Sequence, residues 1–204
     1  MKYKYEDIHS LIIKKSLKFP FFKKEIEKNG VIRIKKNNLD FFSFLMKTII
    51  SQQISNNVAK LIWSRLCNQL NSKTLSINNF KNLVFLDETL KNLNISRQKR
   101  NYISNLFLAI SNKKICKKKL NTMDEDKFKT MMLNYNGVGI WTCNMTLIFY
   151  FKRLNIFPEQ DLVIKKMVNK LNEIEEKHIN FKNEFEPFLS IVSLHLWKMS
   201  ERIL

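Results

Sequence analysis

Glycine and proline are scarce in this sequence, three of each among 204 residues. An all-β fold needs such residues at every hairpin, so their scarcity argues against sheets and for helices. Cysteine is equally sparse. Cys67, Cys116 and Cys143 lie too far apart for a CxxC metal site, and three thiols are one short of a four-cysteine iron–sulfur cluster. They read as reduced, structural residues of an intracellular protein. Long apolar runs are missing too. The most apolar stretch, Thr146–Phe151, ends at Lys152 and Arg153, far short of the roughly 18 residues a membrane-crossing helix needs. Met1–Asp7 already mixes charges, so no signal peptide is expected. Acidic residues are outnumbered, 18 against 36 Lys and Arg, for a net charge of +18. That excess suits a polyanion, either nucleic acid or an anionic membrane surface, and equally reflects a lysine-biased proteome.

What is present is helical periodicity, in a chain whose 45% hydrophobic content can fill a sizeable core. Phe41, Phe42, Leu45 and Ile49 recur at spacings of three and four, as do Val58, Leu61, Ile62 and Leu66. The polar break Ser51-Gln52-Gln53 separates the two runs, and Ser55 is the N-cap of the second. A further helix starts after Ser96, with Ile103, Leu106, Phe107 and Ile110 on one face. Asp124 caps another, with Glu125 and Asp126 in its first turn, and it runs to about Asn134. A helix from Trp141 to about Phe151 follows the turn at Asn136–Gly139. Phe157-Pro158 marks a loop, and Asp161–Leu171 and Pro187–Arg202 are the last two helices. Residues 1–38 read as short helices with a loop around Asn29-Gly30. Lys113 to Lys119, five lysines in seven residues, reads as a solvated loop or a loose electrostatic contact with DNA.

Two of the three glycines sit together, at Gly137 and Gly139. A Gly-x-Gly turn between helices allows φ > 0 and close approach of a ligand. The free N–H groups of the next helix then favour an anion such as phosphate. On its own such a connection is more often just a turn. Asp161 on its own is equally an N-cap after a proline turn. The three histidines, His9, His178 and His195, make no recognisable ligand set, and His195 reads as an ordinary partly buried residue.

The wider context adds a family. Leu133-Asn134-Tyr135-Asn136-Gly137-Val138-Gly139-Ile140-Trp141-Thr142 resembles the helix-hairpin-helix of the DNA glycosylase superfamily. It is most similar to the 3-methyladenine DNA glycosylase II branch, with its Leu-Pro-Gly-(Ile/Val)-Gly-x-Trp-Thr-Ala pattern. Asn136 replaces the usual Pro and Cys143 the usual Ala, and neither change removes a glycine amide. Asn155-Ile156-Phe157-Pro158-Glu159-Gln160-Asp161 resembles the family's Asp-Val-Phe-Pro-x-x-Asp segment. Ile49-Ile50-Ser51-Gln52-Gln53-Ile54-Ser55 is similar to its Ile-(Val/Leu)-Ser-Gln-Gln-(Ile/Leu)-Ser motif. Leu93 to Ile103 is similar to its Gly-Leu-Ser-x-x-Lys-x-x-Tyr-Ile stretch, with Asn94 at the usual Gly, a residue that tolerates the left-handed conformation. Glu186-Pro187-Phe188-Leu189-Ser190 is a variant of Trp-x-Pro-Tyr-Arg-Ser that lacks the Tyr and Arg.

The resemblance, from about Asn38 to Leu204, implies an all-α, compact two-lobed glycosylase fold. Residues 1–204 would form one such domain, with 1–38 as a helical extension packed on it and the hairpin at about 125–152. It implies a catalytic carboxylate at Asp161, stabilising oxocarbenium charge and activating water. A helix N-terminus favours such an anion. Trp141 and Trp197 would wall the base pocket, where indoles suit a cationic alkylated purine, although Trp on a helix is as often plain core. Gly137, Val138 and Gly139 would bind DNA phosphate. Gln52 and Gln53 would form the DNA wedge, Gln53 filling the gap left by the flipped base. Arg97, Lys99 and Arg100 would add phosphate contacts or form a solvated face.

Trp141 stands where bifunctional relatives carry a Schiff-base lysine, which implies a monofunctional enzyme that leaves an abasic site. No metal, redox cofactor or iron–sulfur cluster is implied, although hairpins of this superfamily often bind a monovalent cation through backbone carbonyls. The N-terminal sheet lobe of the longer bacterial members is expected to be absent. The implied partner is double-stranded DNA containing alkylated bases, with no membrane, and the expected state is a monomer. The implied location is intracellular: cytoplasm or nucleoid in a bacterium, nucleus in a eukaryote. Two alternatives stay open, a non-catalytic DNA-binding module of the same fold and a glycosylase acting on uracil, mismatched thymine or oxidised bases.

Overall fold

Side-chain caps define where many of the helices begin. Asp40, Ser55, Asn82, Ser96, Asp124 and Asp161 each accept a hydrogen bond from a backbone N–H two or three residues on. Each satisfies a donor that a helix start leaves unpaired. The structure, a computed structural model describing residues 3–204, is all-helical over those residues. The chain divides into two compact units, Lys36–Thr146 and Met1–Lys35 with Leu147–Leu204.

The first unit holds α3 (Phe41–Ser51), α4 (Asn56–Gln69), α5 (Leu83–Asn92), α6 (Arg97–Ser111), α7 (Lys117–Thr122), α8 (Glu125–Met132) and α9 (Ile140–Met145). α3 is its centre and packs against α4, α6 and α9. Phe42, Leu45, Met46 and Ile49 of α3 are buried, as are Ile103, Leu106 and Phe107 of α6. Phe42 meets Phe107 and Phe80 edge-on at 5.5 and 5.8 Å. Burying each such side chain contributes about 1.5–3 kcal/mol.

Two expectations fail here. α4 has the expected period, yet Val58 and Leu61 are 46% and 51% exposed and only Leu66 is buried; periodicity reports the helix repeat, not what covers it. Lys117–Lys119 lie in the first turn of α7 rather than in a loop, because Ile115 and Leu120 turn inward and leave the lysines outside.

The second unit holds α1 (Tyr5–Lys15), α2 (Pro20–Asn29), α10 (Leu162–Ile174), α11 (Phe181–Phe185) and α12 (Leu189–Ile203). A π-helical stretch, Thr146–Tyr150, continues from α9. α12 packs against α10, α2 and α11, and Phe22 meets Phe181 and Phe185, both at 5.4 Å. No helix of the described residues is long and apolar enough to cross a membrane.

The cysteines behave differently from one another. Cys143 is buried, which pushes its thiol up to about 11. Cys116 is exposed rather than structural, and the backbone N–H groups of Lys119 and Lys118 hold its thiol below the usual value.

His195 is fully buried, not partly as the sequence suggests. Its Nδ1 lies 3.1 Å from the Asn29 amide nitrogen, and its ring stacks on His9 at 5.7 Å. Burial, then the neighbouring His9 and Lys198, push its pKa down to about 3. Folding therefore favours the neutral ring. The stabilisation is complete above about pH 6.5, the unfolded value, and is lost as pH falls from there toward 3, at up to about 1.4 kcal/mol per pH unit. The urea midpoint should accordingly drop between pH 7 and pH 5, and His195→Gln should flatten that drop. Equal slopes in the two proteins would count against this account.

Candidate active site and nucleic-acid interface

In the Lys36–Thr146 unit, α8 and α9 are joined by a turn whose conformation rests on one glycine. Gly137 has φ +85, and a Cβ there would sit 2.4 Å from Cδ2 of Tyr102. Both the backbone and the space require glycine. Gly139 has φ −93 and open space around a notional Cβ, so it is the N-cap of α9 without being conformationally required. Val138, expected to bind phosphate, is 5% exposed, and its N–H donates to Tyr135 O at 3.0 Å. That amide is committed to the turn, whereas the N–H groups in the first turn of α9 lack intrahelical acceptors, the arrangement that an anion would need. Trp141 lies half-buried in that first turn.

The two glutamines differ sharply. Gln52 Nε2 donates to Gly137 O at 2.9 Å and to Thr142 Oγ1 at 3.0 Å. It is a strut under the hairpin, not a free wedge. Gln53 is exposed and has φ +58, which makes it the candidate of the two for the expected wedge.

Behind this turn, Lys99 Nζ donates to Ile50 O at 2.8 Å and Gln52 O at 2.7 Å, and burial lowers the pKa of its amine. Arg100 bonds Asp87 through Nε at 2.7 Å and Ile95 O through Nη1 at 3.1 Å. Both half-buried cations are thus engaged by acceptors of the protein itself, whereas Arg97 stays exposed. Asn94 adopts the left-handed backbone expected of it, with φ +56.

In the other unit, Asp161 caps α10. It is 9% exposed. One oxygen, Oδ1, accepts from Val163 N and Ile164 N, both at 3.0 Å, and from the Trp197 indole Nε1 at 3.1 Å. The capping role and the proximity to Trp197 therefore coexist. The segment before it is tightly held. Asp161 N donates to Pro158 O at 2.9 Å, and Phe157 stacks on Phe181 at 5.7 Å. Ser190 Oγ donates to Arg153 O at 2.7 Å and accepts from Ile156 N at 3.1 Å. Trp197 leans on Phe149 at 5.8 Å.

The family model for HhH-GPD superfamily base excision DNA repair proteins matches residues 46–189. The chain belongs to that superfamily. It is 24% identical over 169 residues to a provisionally named DNA-3-methyladenine glycosylase, YfjP, of Bacillus subtilis, a match covering 78% of this chain and 59% of that one. It is 25% identical over 201 residues to the DNA-3-methyladenine glycosylase of Saccharomyces cerevisiae, covering 79% and 67% respectively. The chain thus spans well under two thirds of the first of these relatives. Among solved structures, the Schizosaccharomyces pombe 3-methyladenine DNA glycosylase Mag1, in complex with abasic DNA, superposes with a TM-score of 0.71 at 20% identity, over 93% of this chain and 95% of that one.

Within this HhH-GPD member, three roles escaped sequence reasoning. Lys99 and Ser190 stand at motif positions, and their partners lie 47 and 37 residues away in the chain. Trp197, expected to wall the base pocket, also donates its indole N–H to Asp161 Oδ1. A hydrogen bond to a charged group contributes about 1.5–3 kcal/mol, so Trp197→Phe, which keeps an aromatic ring, should slow any Asp161-dependent step about tenfold or more. Unchanged single-turnover rates would show that the contact is incidental.

Proposed function

We propose that this protein is a monofunctional DNA glycosylase that flips an alkylated purine, 3-methyladenine foremost, out of duplex DNA and hydrolyses its bond to the sugar. The observation that carries the reading is the Asp161 carboxylate, held at the start of α10 with an indole N–H on the same oxygen. As the N-glycosidic bond breaks, its electron pair leaves with the base and positive charge develops on the sugar. A fixed carboxylate opposes that charge. Water then adds its oxygen to C1′ and loses a proton, and the product is an abasic site. A purine methylated at N3 or N7 is already cationic, so it departs neutral and needs no general acid. The faces of Trp141 and Trp197 suit such a cation.

Gly137, Gly139 and the first amides of α9 would take a phosphate, and Gln53 would fill the vacated stack. Both sequence relatives carry 3-methyladenine glycosylase names, and the solved neighbour holds abasic DNA, the product of this reaction. Trp141 in place of a nucleophilic lysine supports water as the attacking group. The partner is duplex DNA, engaged by a monomer inside the cell. A monovalent cation at the hairpin is compatible with the turn: Tyr135 O and Gly137 O each accept one hydrogen bond and keep a second lone pair. Such an ion would stiffen the turn, and no step depends on it.

The test is chromatography of bases released from methylated duplex DNA, with strand breaks scored before and after alkali. Release of 3-methyladenine, with breaks only after alkali, is the expected result. Breaks without alkali would mean lyase chemistry, and release of uracil or oxidised bases alone would move the substrate class.

A further inference from the structure

We infer that Lys99 is a positioning residue for base flipping: its ammonium group clamps the turn that presents Gln53 and, through Gln52, registers that turn to the hairpin. The inference rests on the glycosylase reading above.

Lys99 breaks a local rule. It is the third residue of α6, in the first turn, where the helix dipole disfavours a cation. Its four methylenes could carry the charge to water. Instead the amine is half-buried and donates to two carbonyls at the end of α3, Ile50 O and Gln52 O. A local preference overridden without a local gain points to a role elsewhere.

That role can be traced atom by atom. The last carbonyls of α3 have no intrahelical donors, and Lys99 satisfies two groups of this end together. One of them belongs to Gln52, whose side chain reaches Gly137 O and Thr142 Oγ1 in the hairpin. Gln52 is thus held by its backbone from α6 and by its amide from the hairpin. The next residue, Gln53, has φ +58, a conformation that strains a residue with a side chain by about 1–2 kcal/mol. Such strain persists only when the surroundings enforce it. Without the Lys99 bonds the turn relaxes, and the Gln53 side chain no longer points where the flipped base leaves its gap.

The experiment uses two duplexes, each with a single 7-methylguanine, placed opposite cytosine or opposite a stable abasic analogue. Extrusion of a paired base requires unstacking and unpairing, whereas the second setting removes the pairing term. Lys99→Met should slow single-turnover release about 30-fold opposite cytosine and less than about 3-fold opposite the abasic analogue, since each tenfold corresponds to about 1.4 kcal/mol of a flipping penalty of a few kcal/mol. Gln53→Ala should show the same contrast, and the double variant should be no slower than the slower single variant. Lys99→Gln, which keeps one donor group, should show the contrast in weaker form and serves if Lys99→Met does not fold. Equal slowing in both duplexes, or none, overturns the inference. Wild-type protein that releases 7-methylguanine from neither duplex and no 3-methyladenine from methylated DNA overturns instead the alkylpurine reading on which it rests.

Discussion

Asp161→Asn is expected to give a protein that folds, binds duplex DNA and releases base about 10²–10³-fold more slowly than wild type. The substitution is nearly isosteric. Asparagine is as good an N-cap as aspartate, and its amide oxygen can still accept from Val163, Ile164 and Trp197, the three donors now on Oδ1. Stability should therefore change by no more than about 1 kcal/mol. What disappears is the negative charge that the proposed reaction sets against the sugar. Electrostatic groups aimed at developing charge in a water-poor site contribute on the order of 3–4 kcal/mol each, which sets the expected loss. Single-turnover release alongside a gel-shift titration separates chemistry from binding. A variant within tenfold of wild type would show that another group carries the reaction, and one that neither binds nor folds would show that capping dominates.

Gly137→Ala should be the most damaging small substitution in the hairpin. It forces a side chain into φ +85 and places a methyl 2.4 Å from the Tyr102 ring. Strain of about 1–3 kcal/mol adds to overpacking of about 1–3 kcal/mol. A combined loss of about 2–6 kcal/mol, with at least tenfold weaker binding of undamaged duplex, is the expected result. Gly139→Ala supplies the contrast, since its φ is ordinary and nothing lies near. It should cost less than about 1 kcal/mol, so any loss of affinity there reports a close phosphate. Adding Tyr102→Ala to Gly137→Ala should relieve only part of the clash, because Cβ of residue 102 would still lie 2.7 Å from the new methyl, and should leave the backbone strain. Equal behaviour of the two glycine variants would remove the structural distinction between them.

Much of the helical frame was legible because its signals are local. Ser55, Ser96, Asp124 and Asp161 announce helix starts from their own neighbours, and each is an N-cap. The α5 helix went unread. Its cap, Asn82, follows a polar stretch, and only Leu86, Thr89 and Leu90 of the helix are buried. In the site, residue types were legible and their partners were not. Gln52 and Gly137 are 85 residues apart in the chain, so no window of sequence shows that one glutamine of the pair is a strut. Lys99 reads as a solvated cation by composition, and only the fold brings two carbonyls to it. The same fold takes the Val138 amide away, by closing the turn on Tyr135.

The two ends of α3 have one more consequence. At its start, Asp40 accepts from Ser43 N and Ile77 N; at its finish stands the ammonium of Lys99. A bare helix C-terminus carries about half a unit of negative charge, the wrong sign to turn toward a phosphodiester chain. A full positive charge seated on the terminal carbonyls reverses that sign. A polyanion approaching Gln53 then meets attraction where a bare helix end repels, which is the sign the proposed wedge needs at the electrostatically unfavourable end of its helix.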